Sequence, residues 1–461
     1  MEKHELFNNS QHGFRGGRSC LSQLLAHFDH ITACLEKGYG VDVVYLDFAK
    51  AFDKLDHGIT LYKLKSLGIH GNLATWITNF LTNRTQSVIV EGRKSLPRPV
   101  ISGVPQGSVL GPLLFLVLIG DIDQNVVSSF LSSFADDTRV GRQISSPTDP
   151  INLQADLAAI YAWSALNNME FNCDKFDLVR YKASLSRDVQ AETSYTGADG
   201  SVIEEKDNVR DLGVTLSNDA SFNMHIHERC DMVKSKISWV LRTFSTRHRL
   251  PMLTLWKSLI LNHIEYCSQL WSPSKVGNIQ SLELLQRSYI SRIDGMQELS
   301  YWEQLKDLKM FSLERRRERY QAIYTWRMLE GQVPNIDTTP VRASLSDRRG
   351  RMCAVPQILS SAPERIKTIR FASLTHKGPR IFNSLPLEVR NLTGCPTETF
   401  KNALDRYLRT LPDQPLIPSM TQYRDCDTNS VIEWGQKVKL RRRTITLSLP
   451  TQDSCEQTTA C

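Results

Sequence analysis

The sequence predicts an α+β fold, with strands and helices mixed through residues 1–183 and a mostly helical remainder. Three observations lead there. Short apolar, β-branched runs, Val41-Asp-Val-Val-Tyr-Leu-Asp47 and Phe130-Leu-Ser-Ser-Phe134, alternate with Gly and Pro turns in the first part. Later, apolar positions fall at helical spacing, as at Ile226, Cys230, Val233, Ile237, Val240, Leu241 and Phe244. Carboxylates stand where strands stop: Asp47 closes the first run, and Asp136-Asp137 sit where the second must turn before Thr138-Arg-Val140.

The bulk numbers bound the answer. At 461 residues the chain can hold two or three domains. A hydrophobic share of 41% and a charged share of 23% are those of a water-soluble globular protein. Fifty-six basic against forty-nine acidic residues give +7, a mild bias toward a polyanionic partner. The ten cysteines form no Cys-x-x-Cys pair, which excludes zinc-finger and zinc-knuckle spacings and reads as reduced and intracellular, in nucleus or cytoplasm. The polar start, Met1-Glu-Lys-His-Glu5, has no signal-peptide core. The longest apolar stretch, Val109 to Ile119, is shorter than the roughly 20 residues a membrane helix needs, so no membrane partner is expected.

Along the chain, alternation stops after Asp47 and a helix is expected from near Ala49. On this reading Asp47 is a candidate metal ligand, whereas Asp53 and Asp56 face solvent or cap local structure. In Ser102-Gly-Val-Pro-Gln-Gly-Ser108, Pro105 and Gly107 force a tight turn, and Gly107 permits close backbone approach by another molecule. Ser108 can cap the buried helix that follows, with Pro112 in its first turns. Gln106, an amide held between Pro and Gly at that helix mouth, is placed to read a base or sugar. Residues 184–205 lack periodicity and are expected to form a loop or weak hairpin. Amphipathic helices are expected at 225–244, 253–263, 282–293 and 313–329. The last carries Arg315, Arg316, Arg317 and Arg319 in its first turns, where cations oppose the helix dipole. Two sources of compensation stand open: an anionic ligand, or Glu314 and Glu318. After about residue 411 the chain is polar and then basic at 437–443, a tail expected to be disordered. Its basic run reads as a nuclear signal, a phosphate contact or simply solvated charge.

Three carboxylates gathered at one sheet edge repel one another unless a hard divalent cation neutralises them. Mg2+, with Mn2+ as the substitute, is the expected cofactor. Two such ions can clamp the attacking and leaving oxygens of an in-line phosphoryl transfer.

These blocks together resemble the reverse transcriptases of non-LTR, LINE-type retrotransposons, near the jockey-like branch. Leu46-Asp-Phe-Ala-Lys-Ala-Phe-Asp-Lys-Leu-Asp-His57 resembles motif A, and Ser102 through Phe115 resembles motif B. Phe134-Ala-Asp-Asp137 resembles motif C, and Gln11-His-Gly-Phe-Arg-Gly-Gly-Arg-Ser19 is similar to the fingers motif before motif A. Trp163 with Met169-Glu-Phe-Asn-Cys-Asp-Lys175 resembles motif D, though Asn167 stands where a second Trp is common. Leu212-Gly-Val214 resembles motif E, and Gly378-Pro-Arg-Ile-Phe-Asn-Ser-Leu-Pro-Leu-Glu-Val389 is similar to the ending of such element proteins.

The resemblance implies a right-hand polymerase: a palm with partial fingers in residues 1–183, a palm-to-thumb connection in 184–215 and a helical thumb in 216–300. A helical C-terminal region in 301–410 and the tail 411–461 follow. It implies that Asp47, Asp136, Asp137 and the backbone carbonyl of Phe48 bind the metal ions. It implies further that Phe52 is the gate against a ribose 2′-hydroxyl, that Gln106 and Gly107 contact the incoming nucleotide, and that Lys175 serves the leaving pyrophosphate. The implied partners are an RNA template, a DNA primer and dNTPs. Relatives of this kind place an earlier fingers segment and an endonuclease domain ahead of these motifs. The chain is therefore expected to be the 3′ part of an element's open reading frame.

Overall fold

The computed structural model describes residues 4, 6–183, 193–333, 352–415 and 429–437. They fall into two compact units. The first takes the described residues up to 227, then 331–333 and 357–373; the second takes 228–330, 352–356 and those from 374 onward. This differs from the linear division expected, because residues 357–373, placed in the C-terminal region, belong to the first unit.

In the first unit, α1 (Cys20–Glu36) leads into the central strand β1 (Gly40–Leu46). Ser19 starts α1 through a capping box, its hydroxyl accepting from the Ser22 N–H while the Ser22 hydroxyl accepts from the Ser19 N–H. After β1 come α2 (Ala51–Lys54), α3 (His57–Ser66) and α4 (Gly71–Leu81). An exposed ladder follows, in which β2 (Arg84–Gln86) pairs with β5 (Arg98–Val100) and β3 (Ile89–Val90) with β4 (Arg93–Lys94). The apolar helix α5 (Leu110–Ile119) precedes the hairpin β6 (Phe130–Phe134) and β7 (Asp137–Ile144). Then come α6 (Asp149–Leu166), β8 (Asp177–Tyr181), β9 (Glu204–Glu205) and the hairpin β10 (Asn208–Asp211) and β11 (Val214–Ser217).

The sheet order is β6-β7-β1-β8-β9, antiparallel except for β8 against β9. Six of the seven β1 residues are buried, which explains a strand that is apolar on both faces. Alternation sorts them. Val44 and Leu46 join a core with Leu114, Leu118, Leu157 and Ile160 from α5 and α6, while Tyr45 on the other face meets His27 of α1. Asp42, also buried, accepts a hydrogen bond from the Tyr195 hydroxyl at 2.7 Å. Of the stretch expected to be a loop or weak hairpin, residues 184–192 lie outside the described residues. The rest forms a Thr196–Val202 bridge and β9.

Residues 357–373 close this unit. Within them α14 (Glu364–Ala372) lies against α1, where Arg370 reaches Asp29 Oδ1 at 2.7 Å and Glu36 Oε2 at 2.9 Å. The other Glu36 oxygen accepts from the Leu359 N–H at 2.6 Å.

The second unit is helical. The expected helix at 225–244 is α7 (Asn223–Thr243), with Val233, Ile237 and Val240 buried and Lys234 and Arg242 exposed. The expected helix at 253–263 is interrupted: α8 (Arg249–Leu255) passes through a π turn at Trp256–Ile260 into α9 (Leu261–Glu265). After α10 (Ser268–Trp271), α11 (Val276–Ile290) and α12 (Tyr301–Asp307) comes α13 (Leu313–Leu329). Carboxylates of this unit, Glu318 of α13 itself among them, surround the arginines of α13. Arg316 pairs with Glu265, Arg319 with Asp405, and Arg315 lies near Glu318 and Asp413. Asp413 also sits at the helix mouth, accepting from the Ser312 N–H at 2.8 Å and its hydroxyl at 2.6 Å. Internal carboxylates thus supply the compensation, from a wider set than Glu314 and Glu318.

The helices α15 (Leu374–Ser384), α16 (Leu387–Arg390) and α17 (Thr397–Leu408) complete the unit. A Cβ on Gly378 would stand 2.3 Å from the Thr325 hydroxyl, so glycine there lets α15 abut α13. Trp326 stacks on Phe400 at 4.7 Å between centroids. Most of the basic run at 437–443 lies outside the described residues, as do 416–428. No helix among the described residues is long and apolar enough to cross a membrane.

Candidate active site

Asp47 leaves the sheet at the end of β1. Its backbone continues pairing, the Asp47 carbonyl accepting from the Asn172 N–H and the Ala49 N–H donating to the Glu170 carbonyl, both at 2.9 Å. That pairing carries a short 3-10 turn, Cys173–Lys175, back over the strand end. There the Lys175 ammonium lies 3.0 Å from Asp47 Oδ2.

The β6–β7 hairpin brings the other carboxylates. Phe134 pairs with Asp137, leaving Ala135 and Asp136 as a two-residue loop. Ala135 has φ +56° and Asp136 is not in the left-handed region, the pattern of a II′ turn whose first central residue is usually glycine. In the ladder to β1, Leu46 faces Thr138, so one further step sets Asp47 beside Asp137.

Electrostatics report the crowding. Burial raises the Asp136 carboxyl above the ordinary carboxylate range and the Asp47 charge adds to it, while Lys175 offsets part. Asp137 is pushed up to about 6, by burial first and then by Asp136, Asp211 and Asp47 against the pull of Arg139. Arg139 and Asp211, both of which act on Asp137, pair with each other, with side chains 1% and 3% exposed. This pair joins β7 to β10, whose two-residue turn into β11 places Leu212 (φ +43°) and Gly213 (φ +80°) in the left-handed region. A cavity of about 540 Å³ opens between these elements, lined by Asp47, Asp137, Lys175, Lys206 and Arg210 among others.

The structure therefore brings Asp47, Asp137 and Lys175 to one cavity and couples Asp136 to them. Among the described residues no group of three or more His, Cys, Asp or Glu side chains is arranged to hold a metal ion. The three carboxylates are neighbours rather than a complete shell. Their mutual repulsion and all-oxygen chemistry nonetheless fit a hard divalent cation.

Phe48 buries its ring against Phe171, 4.3 Å between centroids. Phe52, Gln106 and Gly107 do not line the cavity. The Ser102–Gly107 loop, which carries Gln106 and Gly107, is strapped to α2, which carries Phe52. The Val104 N–H donates to the Phe52 carbonyl at 3.1 Å, the Ser102 hydroxyl to the Asp53 carbonyl at 2.9 Å, and the Gln106 amide to Asp53 Oδ1 at 3.1 Å. Phe52 stacks on Phe115 at 4.6 Å and meets Phe14 edge-on at 5.9 Å. Gly107, exposed with φ +77°, has nothing within 4 Å of a would-be Cβ, so glycine serves the turn and the surface there is open. Asp56 caps α3, accepting from the Ile59 N–H at 2.9 Å, as its capping assignment required.

Sequence reasoning missed the Arg139–Asp211 pair and the cations Lys206 and Arg210. The partners are far apart in the chain, and a lone Arg after a turn carries no local signal of burial.

Residues 1–216 match the family model described as reverse transcriptase (RNA-dependent DNA polymerase). The RNA-directed DNA polymerase from mobile element jockey of Drosophila melanogaster is 28% identical over 307 residues, covering 62% of this chain and 32% of that protein. The probable RNA-directed DNA polymerase from transposon BS, also of Drosophila melanogaster, is 24% identical over 340 residues, covering 71% and 37%. The chain spans about a third of the length of these curated relatives. Among solved structures, apo telomerase from Candida tropicalis is similar with a TM-score of 0.37 and 11% identity, over 68% of this chain and 49% of that one. The resemblance read from the motifs is borne out as a partial match to polymerases of non-LTR mobile elements.

Proposed function

We propose that this chain is an RNA-directed DNA polymerase of a non-LTR mobile element, extending a DNA 3′-hydroxyl on an RNA template. The observation that carries the reading is the meeting of Asp47, Asp136 and Asp137 at one sheet edge, inside the segment that matches the reverse transcriptase model. The first unit is then the palm with part of the fingers, and the helices from α7 onward serve as thumb and C-terminal region, their cations gripping the hybrid by its phosphates.

Asp47, Asp136, Asp137 and the Phe48 carbonyl would hold divalent cations, Mg2+ in the first instance, which supply charge neutralisation at the attacking and leaving oxygens. The primer 3′-hydroxyl gives its proton to solvent water as its oxygen forms a bond to the α-phosphorus of a dNTP and the α–β bridging bond breaks. Lys175 gives a proton to the departing pyrophosphate. Phe52 excludes a ribose 2′-hydroxyl, and Gln106 and Gly107 contact the nucleotide beside it.

The test is primer extension on an RNA template with Mg2+ or Mn2+, comparing the parent chain with Asp136→Ala. Extension by the parent that Asp136→Ala abolishes supports the reading. Salt-dependent binding of the hybrid without any extension would identify a polymerase-shaped binding protein instead.

A further inference from the structure

Gln11 is buried and lies beside the loop that carries Asp136, across 124 residues of chain. One planar amide reads both polar groups of Ala135. Gln11 Oε1 accepts from the Ala135 N–H at 2.8 Å, and Nε2 donates to the Ala135 carbonyl at 3.0 Å. The same Oε1 accepts from the Gly13 N–H at 2.7 Å.

The segment around Gln11 is fixed as firmly as the amide. The His12 N–H donates to the Ser133 carbonyl at 2.9 Å and the Ser133 N–H to the Ser10 carbonyl at 3.0 Å, so residues 10–12 run beside β6. A Cβ on Gly13 would stand 2.4 Å from the Ala135 nitrogen, so only glycine lets the two backbones come this close. Arg15 and Arg18 both donate to the Gln11 carbonyl, at 3.3 and 3.1 Å.

Ala135 needs such support. A left-handed conformation at a non-glycine residue is strained, and it persists only where the surroundings over-determine it. A rotation of the Ala135 backbone out of this conformation would swing Asp136 and Asp137 with it. It would also break both hydrogen bonds to the Gln11 amide at once.

We infer that Gln11 is a positioning residue that holds Ala135 in its left-handed conformation and so sets the aim of Asp136 and Asp137. The role needs an acceptor and a donor side by side in one plane, which an amide supplies and a carboxylate does not. It rests on the polymerase reading for its consequence in catalysis, and on geometry alone for the clamp.

The experiment uses the full chain with Gln11→Met, which keeps the length and loses every hydrogen bond, and Gln11→Glu, which keeps the acceptor. Two readouts are taken: steady-state primer extension, and amide hydrogen exchange at Ala135 and Gly13 against Val44 and Val140 in the sheet. For Gln11→Met the expected result is a loss of about 10²-fold in kcat, with KM for the primer–template within about threefold. Exchange at Ala135 should quicken by about tenfold or more while Val44 and Val140 stay protected. Gln11→Glu should fall between parent and Gln11→Met on both readouts. Unchanged kcat with unchanged exchange at Ala135 overturns the inference, as does exchange rising equally across the sheet. If the parent extends no primer, the polymerase reading fails, and the exchange pattern alone decides the clamp.

Discussion

The Lys175 ammonium stands 3.0 Å from Asp47 Oδ2 although 128 residues separate them in the chain. It is 63% exposed, so solvent weakens the pair, yet its charge also reaches Asp136 and lowers that carboxyl. Lys175→Ala removes both the proposed proton donor and this pull. We expect kcat to fall by about 10²- to 10³-fold, and the acidic limb of the pH–rate profile to move to higher pH as Asp136 rises further. Lys175→Arg should leave the acidic limb in place while kcat stays low. A profile that Lys175→Ala leaves unmoved would remove Lys175 from the site.

Asp137 makes stability depend on pH in the direction opposite to an ordinary salt-bridged carboxylate. Its folded value, about 6, lies above the ordinary 3.8. Between those values the folded chain holds a proton that the unfolded chain has released, so stability is greatest at the acid end and falls as pH rises through 6. Asp137→Asn should therefore melt slightly higher than the parent near neutral pH without metal. Because the side chain reaches solvent at the hairpin, the gain should be about 1–2 °C. Extension should fall in the same variant. A lower melting temperature at neutral pH would contradict the crowding of the three carboxylates.

Phe52 is half-buried between Phe115 and Phe14, which fixes the ring in one pose. Phe52→Val should shrink the ratio of kcat/KM for deoxy- over ribonucleotides by about 10- to 100-fold. Paired single-nucleotide incorporation assays measure it. An unchanged ratio would place the gate elsewhere.

Arg370 tests how α14 belongs to the first unit. Its guanidinium serves two carboxylates, Asp29 and Glu36, and all three side chains are less than a tenth exposed. Arg370→Met strands both charges and should cost about 3–5 kcal/mol in urea unfolding. Adding Asp29→Asn and Glu36→Gln should recover much of it. A loss under about 1 kcal/mol for the single variant would mean that the pairing does not hold the segment.

The parts legible in the sequence share a local cause. Asp47 and Asp136-Asp137 could be placed because a strand end and a two-residue turn are written in neighbouring residues. The helices followed from spacing, since periodic burial is a property of a single element. Partners are a different matter. That Arg316 meets Glu265 and Arg319 meets Asp405 depends on which helices pack together, and a charge pattern on one helix does not encode that. Gln11 was read only as part of a fingers-like motif, because its work is done on the backbone of a residue that no spacing rule connects to it.

One feature of the fold changes what counts as an intact gene copy. Every motif from Gln11 to Val214 lies within the segment that matches the family model, yet the first unit borrows 357–373 from far downstream. A premature stop or frameshift between residues 217 and 356 would spare the motifs from Gln11 to Val214 and still delete that piece. Such an allele would pass a motif screen while leaving Asp29 and Glu36 without Arg370. The first unit therefore needs the reading frame open to residue 373, well past Val214.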